Sequence, residues 1–122
     1  MSPSTRNIIA WVLQVLLGLA FIASGGNKFL TLNGTLTMFD QLGLPAVMTY
    51  LVAGGELLLG IGLLIPRFVR FATPGLMVIM IGAVFMHITK IPGGLGGGIP
   101  ALSLLILLGV LLWLRQPRTT LV

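Results

Sequence analysis

Apolar residues in this chain neither alternate nor keep to a narrow helical stripe; they run together in four long blocks separated by charged residues. Arg6 and Lys28 bracket the first block, Asp40 and Arg67 the second, and Arg70 and Lys90 the third; the fourth ends at Arg115. The blocks occupy about residues 8–27, 45–65, 71–89 and 99–115. At about 1.5 Å per residue, each crosses or nearly crosses a hydrocarbon core of roughly 30 Å. Segments apolar on every side are not amphipathic helices of a soluble protein, and segments this long are not strands. Helices also satisfy every backbone N–H and C=O internally where no water reaches. The pattern predicts an all-α integral membrane four-helix bundle, a single transmembrane domain over residues 1–122. Residues 35–42 predict a further short helix on the membrane surface. Leu36, Phe39 and Leu42 fall on one side of it, Asp40 and Gln41 on the other, and Gly43 and Pro45 end it.

Composition supports this reading. Residues of the AVILMFWYC set make up 57% of the 122 positions and charged residues only 7%, too few to give a globule a polar skin. An ordinary soluble domain, a disordered segment and a nucleic-acid binder are all excluded. The net charge of +5 is best read by position. Arg6, Arg67, Arg70, Arg115 and Arg118 fall on one side of the predicted membrane, Lys28 and Lys90 on the other, so both termini are expected in the cytoplasm. These five arginines are read as topology determinants and anionic-lipid contacts. Trp11 and Trp113 are expected near the cytoplasmic interface and Tyr50 near the outer one. Arg6, an apolar run and Ala23-Ser24-Gly25 imitate a cleavable signal peptide, but with three more spans following, the segment is read as a retained first helix. The absence of cysteine and the single histidine exclude disulfides, zinc–thiolate sites, iron–sulfur ligation and bis-histidine haem within one chain. No intrinsic cofactor and no metal site are expected, and Met77, Met80 and Met86 are read as packing residues.

Glycine and proline suggest further organisation. Pro92-Gly93-Gly94-Leu95-Gly96-Gly97-Gly98 lacks the spacing of a phosphate cradle and is read as a flexible hinge. Gly43-Leu44-Pro45-Ala46 and Gly98-Ile99-Pro100-Ala101 open the second and fourth spans, with Gly54 answering Gly109 at the same offset. Gly18-x-x-Phe21 and Gly82-x-x-Phe85 echo each other likewise. Together they suggest a parallel 2+2 repeat of helix pairs.

Polar groups inside spans are costly and need an account. Gln14, Gly18, Phe21, Gly25 and Lys28 share one face of the first helix; Thr49, Ala53, Glu56 and Gly60 share one face of the second. Their small residues allow close helix approach, so both faces should point inward. Glu56 sits near mid-span, where an isolated carboxylate costs several kcal/mol unless it takes up a proton or a cation reaches it. Lys28 and His87 are the candidates to reach it, with Ala83 one turn before His87 leaving room for the ring to face inward. Glu56, Lys28, His87 and Gln14 thus make a candidate buried polar centre. Three roles stay open for it: holding helices together, binding the head group of a quinone or another small polar molecule, and passing protons or solutes.

Three segments carry a family resemblance: residues 18–29 (GLAFIASGGNKF), Phe39-x-x-Leu42-Gly43-Leu44-Pro45, and residues 55–64 (GELLLGIGLL). With His87 late in the third span, they resemble the DoxX-like family of small four-helix bacterial membrane proteins. The resemblance implies a four-helix bundle in the bacterial inner membrane with polar residues at Lys28, Glu56 and His87. The family takes its name from a subunit of a thiosulfate:quinone oxidoreductase, and its members include membrane partners of redox proteins and assembly factors, so fold transfers better than activity. The leading expectation is an accessory, anchoring or assembly subunit of a larger quinone-linked membrane complex, without catalytic residues of its own. It would be surrounded by lipid and partnered by other membrane subunits or by copies of itself. A quinone-binding oxidoreductase subunit comes second and a small-solute or proton transporter third.

Overall fold

The structure, a computed structural model, describes residues 2–90 and 94–115, with the backbone alone for 94–97. The described residues form five helices and no strand: α1 (Pro3–Leu30), α2 (Leu32–Gln41), α3 (Ala46–Leu64), α4 (Val69–Thr89) and α5 (Gly94–Leu114). α1, α3 and α4 are long and apolar enough to cross a membrane, and α5 contributes the apolar run Gly98–Leu114. Large hydrophobic side chains such as Leu58, Phe71, Val78 and Ile106 are exposed on the outer faces of these helices, as lipid requires. The chain is a multi-pass membrane protein.

Several helix ends lie beyond those expected, for identifiable reasons. α1 starts at Pro3 because Ser2 caps it, its hydroxyl accepting from the Thr5 backbone N–H at 3.1 Å, and proline suits a first turn. Gly25-Gly26 does not stop α1, which ends only at Thr31, whose N–H returns to the Asn27 carbonyl. α2 absorbs Asn33-Gly34 instead of following them. It ends where Gly43 takes φ +80° while the Gly43 and Leu44 N–H groups donate to Asp40 and Phe39. The helix does not simply rest on the membrane surface: Thr35 and Phe39 are buried and α2 packs on α3. Gly94–Gly98, expected as part of a hinge, is instead the start of α5. In lipid, unpaired backbone groups cost more than the entropy glycine loses in a helix. The remaining hinge residues, 91–93, lie outside the described residues.

α1 packs chiefly on α3 and α4 on α5; α3 meets α4, and a lighter α1–α5 contact closes the ring. The facing residues run in opposite order between α1 and α3, α3 and α4, and α4 and α5, so these neighbours are antiparallel. The two helix hairpins match the suggested pairing, but the residues proposed to correspond sit in different settings. Gly43–Ala46 makes a turn into α3 whereas Gly98–Ala101 is helical, and Phe21 is buried whereas Phe85 is exposed.

At the α1–α3 contact, backbone meets backbone. A Cβ added at Gly25 would stand 2.6 Å from the Leu57 nitrogen and 2.7 Å from the Ala53 oxygen. At Gly60 it would stand 3.0 Å from the Ile22 nitrogen, and at Gly18 3.0 Å from the Gly60 oxygen. α3 and α4 approach less closely, glycine against side chain, as with Gly75 and Leu59. The apolar core, including Ala10, Leu17, Leu63, Ala72, Leu111 and Leu114, fills the half of the bundle where α1 begins and α5 ends. The opposite half is not filled.

The glycine geometry gives a paired prediction. Gly25→Ala must push α1 from α3 and is expected to destabilise the protein by about 1–3 kcal/mol, as overpacking does. A Cβ at the adjacent Gly26 meets nothing within 4 Å. Gly26→Ala is therefore expected to be neutral, or stabilising by up to about 1 kcal/mol. Thermal unfolding of both variants in mild detergent checks the contrast.

Candidate functional site

The unfilled half contains a cleft of about 580 Å³ between α2, α3 and α4. α3 supplies Glu56 and α4 supplies His87, while Lys28 enters from the last turn of α1. The remaining walls are almost wholly apolar and soft. Met38, Met48, Met80 and Met86, four of the chain's six methionines, line them beside Phe39 and Val52. Unbranched thioether side chains adapt their shape readily and make favourable contacts with flat rings.

Glu56 lies on the α3 face that presses on α1 and is 3% exposed. Because the glycines bring the two backbones together, the end of α1 reaches it. Lys28 Nζ stands 2.7 Å from Glu56 Oε1. The same ammonium donates to Ser24 Oγ at 2.8 Å, and the Ser24 hydroxyl donates to Glu56 Oε2 at 3.1 Å. Oε2 thus accepts a hydrogen bond, while Oε1 is held by the charge of the ammonium without a hydrogen bond of its own among the described residues. The opposite charge and the serine hydroxyl together offset the cost of holding the carboxylate away from water. The pair is neutral overall, and Lys28 keeps 24% of its side chain exposed. An ammonium has three N–H groups, and one of them donates to Ser24 while the charge as a whole faces Glu56. No other side chain accepts from it among the described residues, and Lys28 lines the cleft.

His87 does not contact Glu56. Its Nδ1–H donates to the Ala83 carbonyl one turn back at 2.8 Å, leaving Nε2 as the open hydrogen-bonding atom of the ring. Ala83 lines the cleft. Gly98 of α5 abuts His87, a Cβ there coming within 3.1 Å of the His87 Cβ.

Gln14 does not belong to this centre. It sits at the other end of the bundle, donating through Nε2 to the Leu63 carbonyl at 3.0 Å. Its Oε1 accepts from Arg115 Nε at 2.6 Å, and Arg115 Nη1 also donates to Asn7 Oδ1 at 2.7 Å. Arg6 donates to the Leu114 and Trp113 carbonyls at 2.8 and 2.6 Å and lies over the Trp113 ring. Arg6 and Arg115, expected to face lipid and interface, are thus turned into the bundle, where they join α1 to the last turn of α5. Arg67 and Arg70 are exposed, and Arg118 lies outside the described residues. Gly18, Gly25, Ala53 and Gly60 all lie at the α1–α3 contact.

Sequence reasoning missed Ser24, although a small hydroxyl residue four positions before Lys28 shares its helix face and was open to notice. No local signal marks the meeting of Gln14, Asn7 and Arg115.

Comparison with known proteins agrees with the fold. The family model described as DoxX matches residues 9–88. The "Putative oxidoreductase CatD" of Bacillus subtilis (strain 168) is 31% identical over 81 residues, which cover 66% of this chain and 60% of that protein. The chain thus spans well under the full length of this relative. No solved structure matches the chain.

The ion pair predicts a coupled response. Lys28→Met leaves a buried carboxylate with only Ser24 and is expected to destabilise by about 3 kcal/mol, the low end for a broken buried pair because Lys28 is partly exposed. Adding Glu56→Gln removes the stranded charge and should restore part of that loss. Thermal unfolding of the single and double variants reads the coupling.

Proposed function

The chain belongs to the DoxX family of membrane proteins, and on that footing we propose that it is the quinone-binding subunit of a larger membrane oxidoreductase. It would lie in the bacterial inner membrane with both termini in the cytoplasm. The observation that carries this reading is the cleft: an apolar, methionine-lined space of about 580 Å³ that meets a neutral Lys28–Glu56 pair and His87. A quinone presents a flat apolar ring, two carbonyl oxygens and a lipid tail, and the residues present suit each part. Methionine and Phe39 side chains take the ring, an N–H of Lys28 donates to one oxygen, and His87 Nε2 stands ready to exchange a proton. A quinone bound there supplies the acceptor of two electrons and two protons. Glu56 holds the ammonium in place and keeps the site electrically neutral, which favours an uncharged head group over an anion. A chain with one histidine and no cysteine has few ligands for a redox centre, so the electrons are assigned to a redox-active partner subunit. The printed name of CatD, a putative oxidoreductase, accords with this assignment.

The test is binding of a short-tailed quinone to the full-length protein in lipid nanodiscs. Lys28→Met should weaken binding about tenfold or more, the value of one charge-assisted hydrogen bond. A second variant guards against misfolding. Gly82 lines the cleft and a Cβ there meets nothing within 4 Å, so Gly82→Trp is expected to fold normally and block binding. Unchanged quinone affinity in both variants would refute the reading.

A further inference from the structure

Among the described residues, the end of the bundle that joins the start of α1 to the end of α5 carries arginines and no acidic side chain. The chain has two acidic residues, Asp40 on α2 and Glu56 in its pair with Lys28, and both lie away from this end. Arg6, Arg67, Arg70 and Arg115 therefore have no carboxylate partner among the described residues. Here a second pocket of about 280 Å³, distinct from the cleft, is lined by Asn7, Trp11, Pro66, Val69, Arg70 and Arg115.

The Arg115 guanidinium is fixed from several directions. Nε donates to Gln14, Nη1 donates to Asn7, and the plane lies over the Trp11 ring, 5.6 Å from its centroid. Its remaining nitrogen, Nη2, is buried and has no hydrogen-bond partner among the described residues. A buried cationic N–H without an acceptor costs more than an ordinary lost hydrogen bond. Asn7 turns its carbonyl oxygen to Arg115, which leaves the amide nitrogen of the same side chain as a donor. Arg70 adds a second guanidinium from the first turn of α4. A wall with two guanidinium groups, a spare amide and no acceptor charge suits a compact oxyanion with several oxygens.

We propose that this pocket is a phosphate site, lined by the positive charges of Arg115 and Arg70 and by the Asn7 amide. The ligand is a phosphate group, and its two sources are the head group of an anionic phospholipid and free inorganic phosphate. The site is independent of the quinone reading, since it shares no residue with the cleft.

The experiment uses full-length protein stripped of lipid in mild detergent, with dioleoyl phosphatidylglycerol and inorganic phosphate as separate probes. Binding is read by thermal unfolding and by native mass spectrometry. Arg70 is exposed and makes no hydrogen bond among the described residues, so R70Q should fold as the parent does. R70Q is expected to weaken probe binding about fivefold, as loss of one interfacial charge does. R67Q, exposed just before α4 but outside the pocket, should bind as the parent does. Stabilisation by the lipid alone identifies a phospholipid head group, and stabilisation by both probes identifies free phosphate; either supports the site. If neither probe raises the unfolding temperature, or if R67Q and R70Q weaken binding alike, the arginines act only as diffuse interfacial charge and the proposal is overturned.

Discussion

Backbone contact between α1 and α3 is the constraint on which the rest of the structure depends. In a membrane, helices gain little by hiding apolar surface from a solvent that is itself apolar, so close approach must supply the association energy. Gly18, Gly25 and Gly60 remove the side chains that would keep the two helices apart. That same approach brings the last turn of α1 within reach of mid-α3. Without it, Glu56 would face α1 across a gap too wide for Lys28 and Ser24 to reach its two oxygens. The charge pair is thus a product of the packing, and its placement at the edge of the cleft follows from where on α3 the carboxylate stands.

The two halves of the bundle then serve different ends. Where α1 begins and α5 ends, leucine and alanine fill the interior and arginines tie helix ends together. Toward the Lys28 end, α3 and α4 leave space between them, and α2 folds Phe39 over part of it. Rigidity is concentrated in one half and adaptable methionine in the other, an arrangement suited to holding a ligand on a fixed support.

How much of this was legible in the sequence depends on the range of the interaction concerned. The spans could be read because a charge in hydrocarbon is so costly that charges mark the span ends. Glu56 stood out for the same reason, as an acid without an evident solvent. The inward faces of α1 and α3 followed from small residues at three- and four-residue steps. Helix ends were less visible: Ser2-Pro3 is a start signal, yet the first charge drew the boundary to residue 8. Glycines at 94–98 read as a break because their low helix propensity in water does not carry over to lipid. The partners of Gln14 were out of reach altogether. They depend on the register of α5 against α1, which no local pattern encodes, so an amide expected near Glu56 lies with Arg115 instead.

The bonds between α1 and α5 span more than 100 residues of sequence, Arg6 to Leu114 and Gln14 to Arg115 among them. A membrane protein made from its N-terminus inserts α1 long before α5 exists. During that interval Asn7 and the Gln14 carbonyl lack their arginine, and Arg6 lacks the carbonyls that end the last helix. The final helix therefore does more than complete a ring of packing: its arrival satisfies polar groups that an unfinished chain must leave open. The arrival of α5 is written into the fold as the satisfaction of the first helix, and a product cut short before α5 would carry unpaired polar groups on α1.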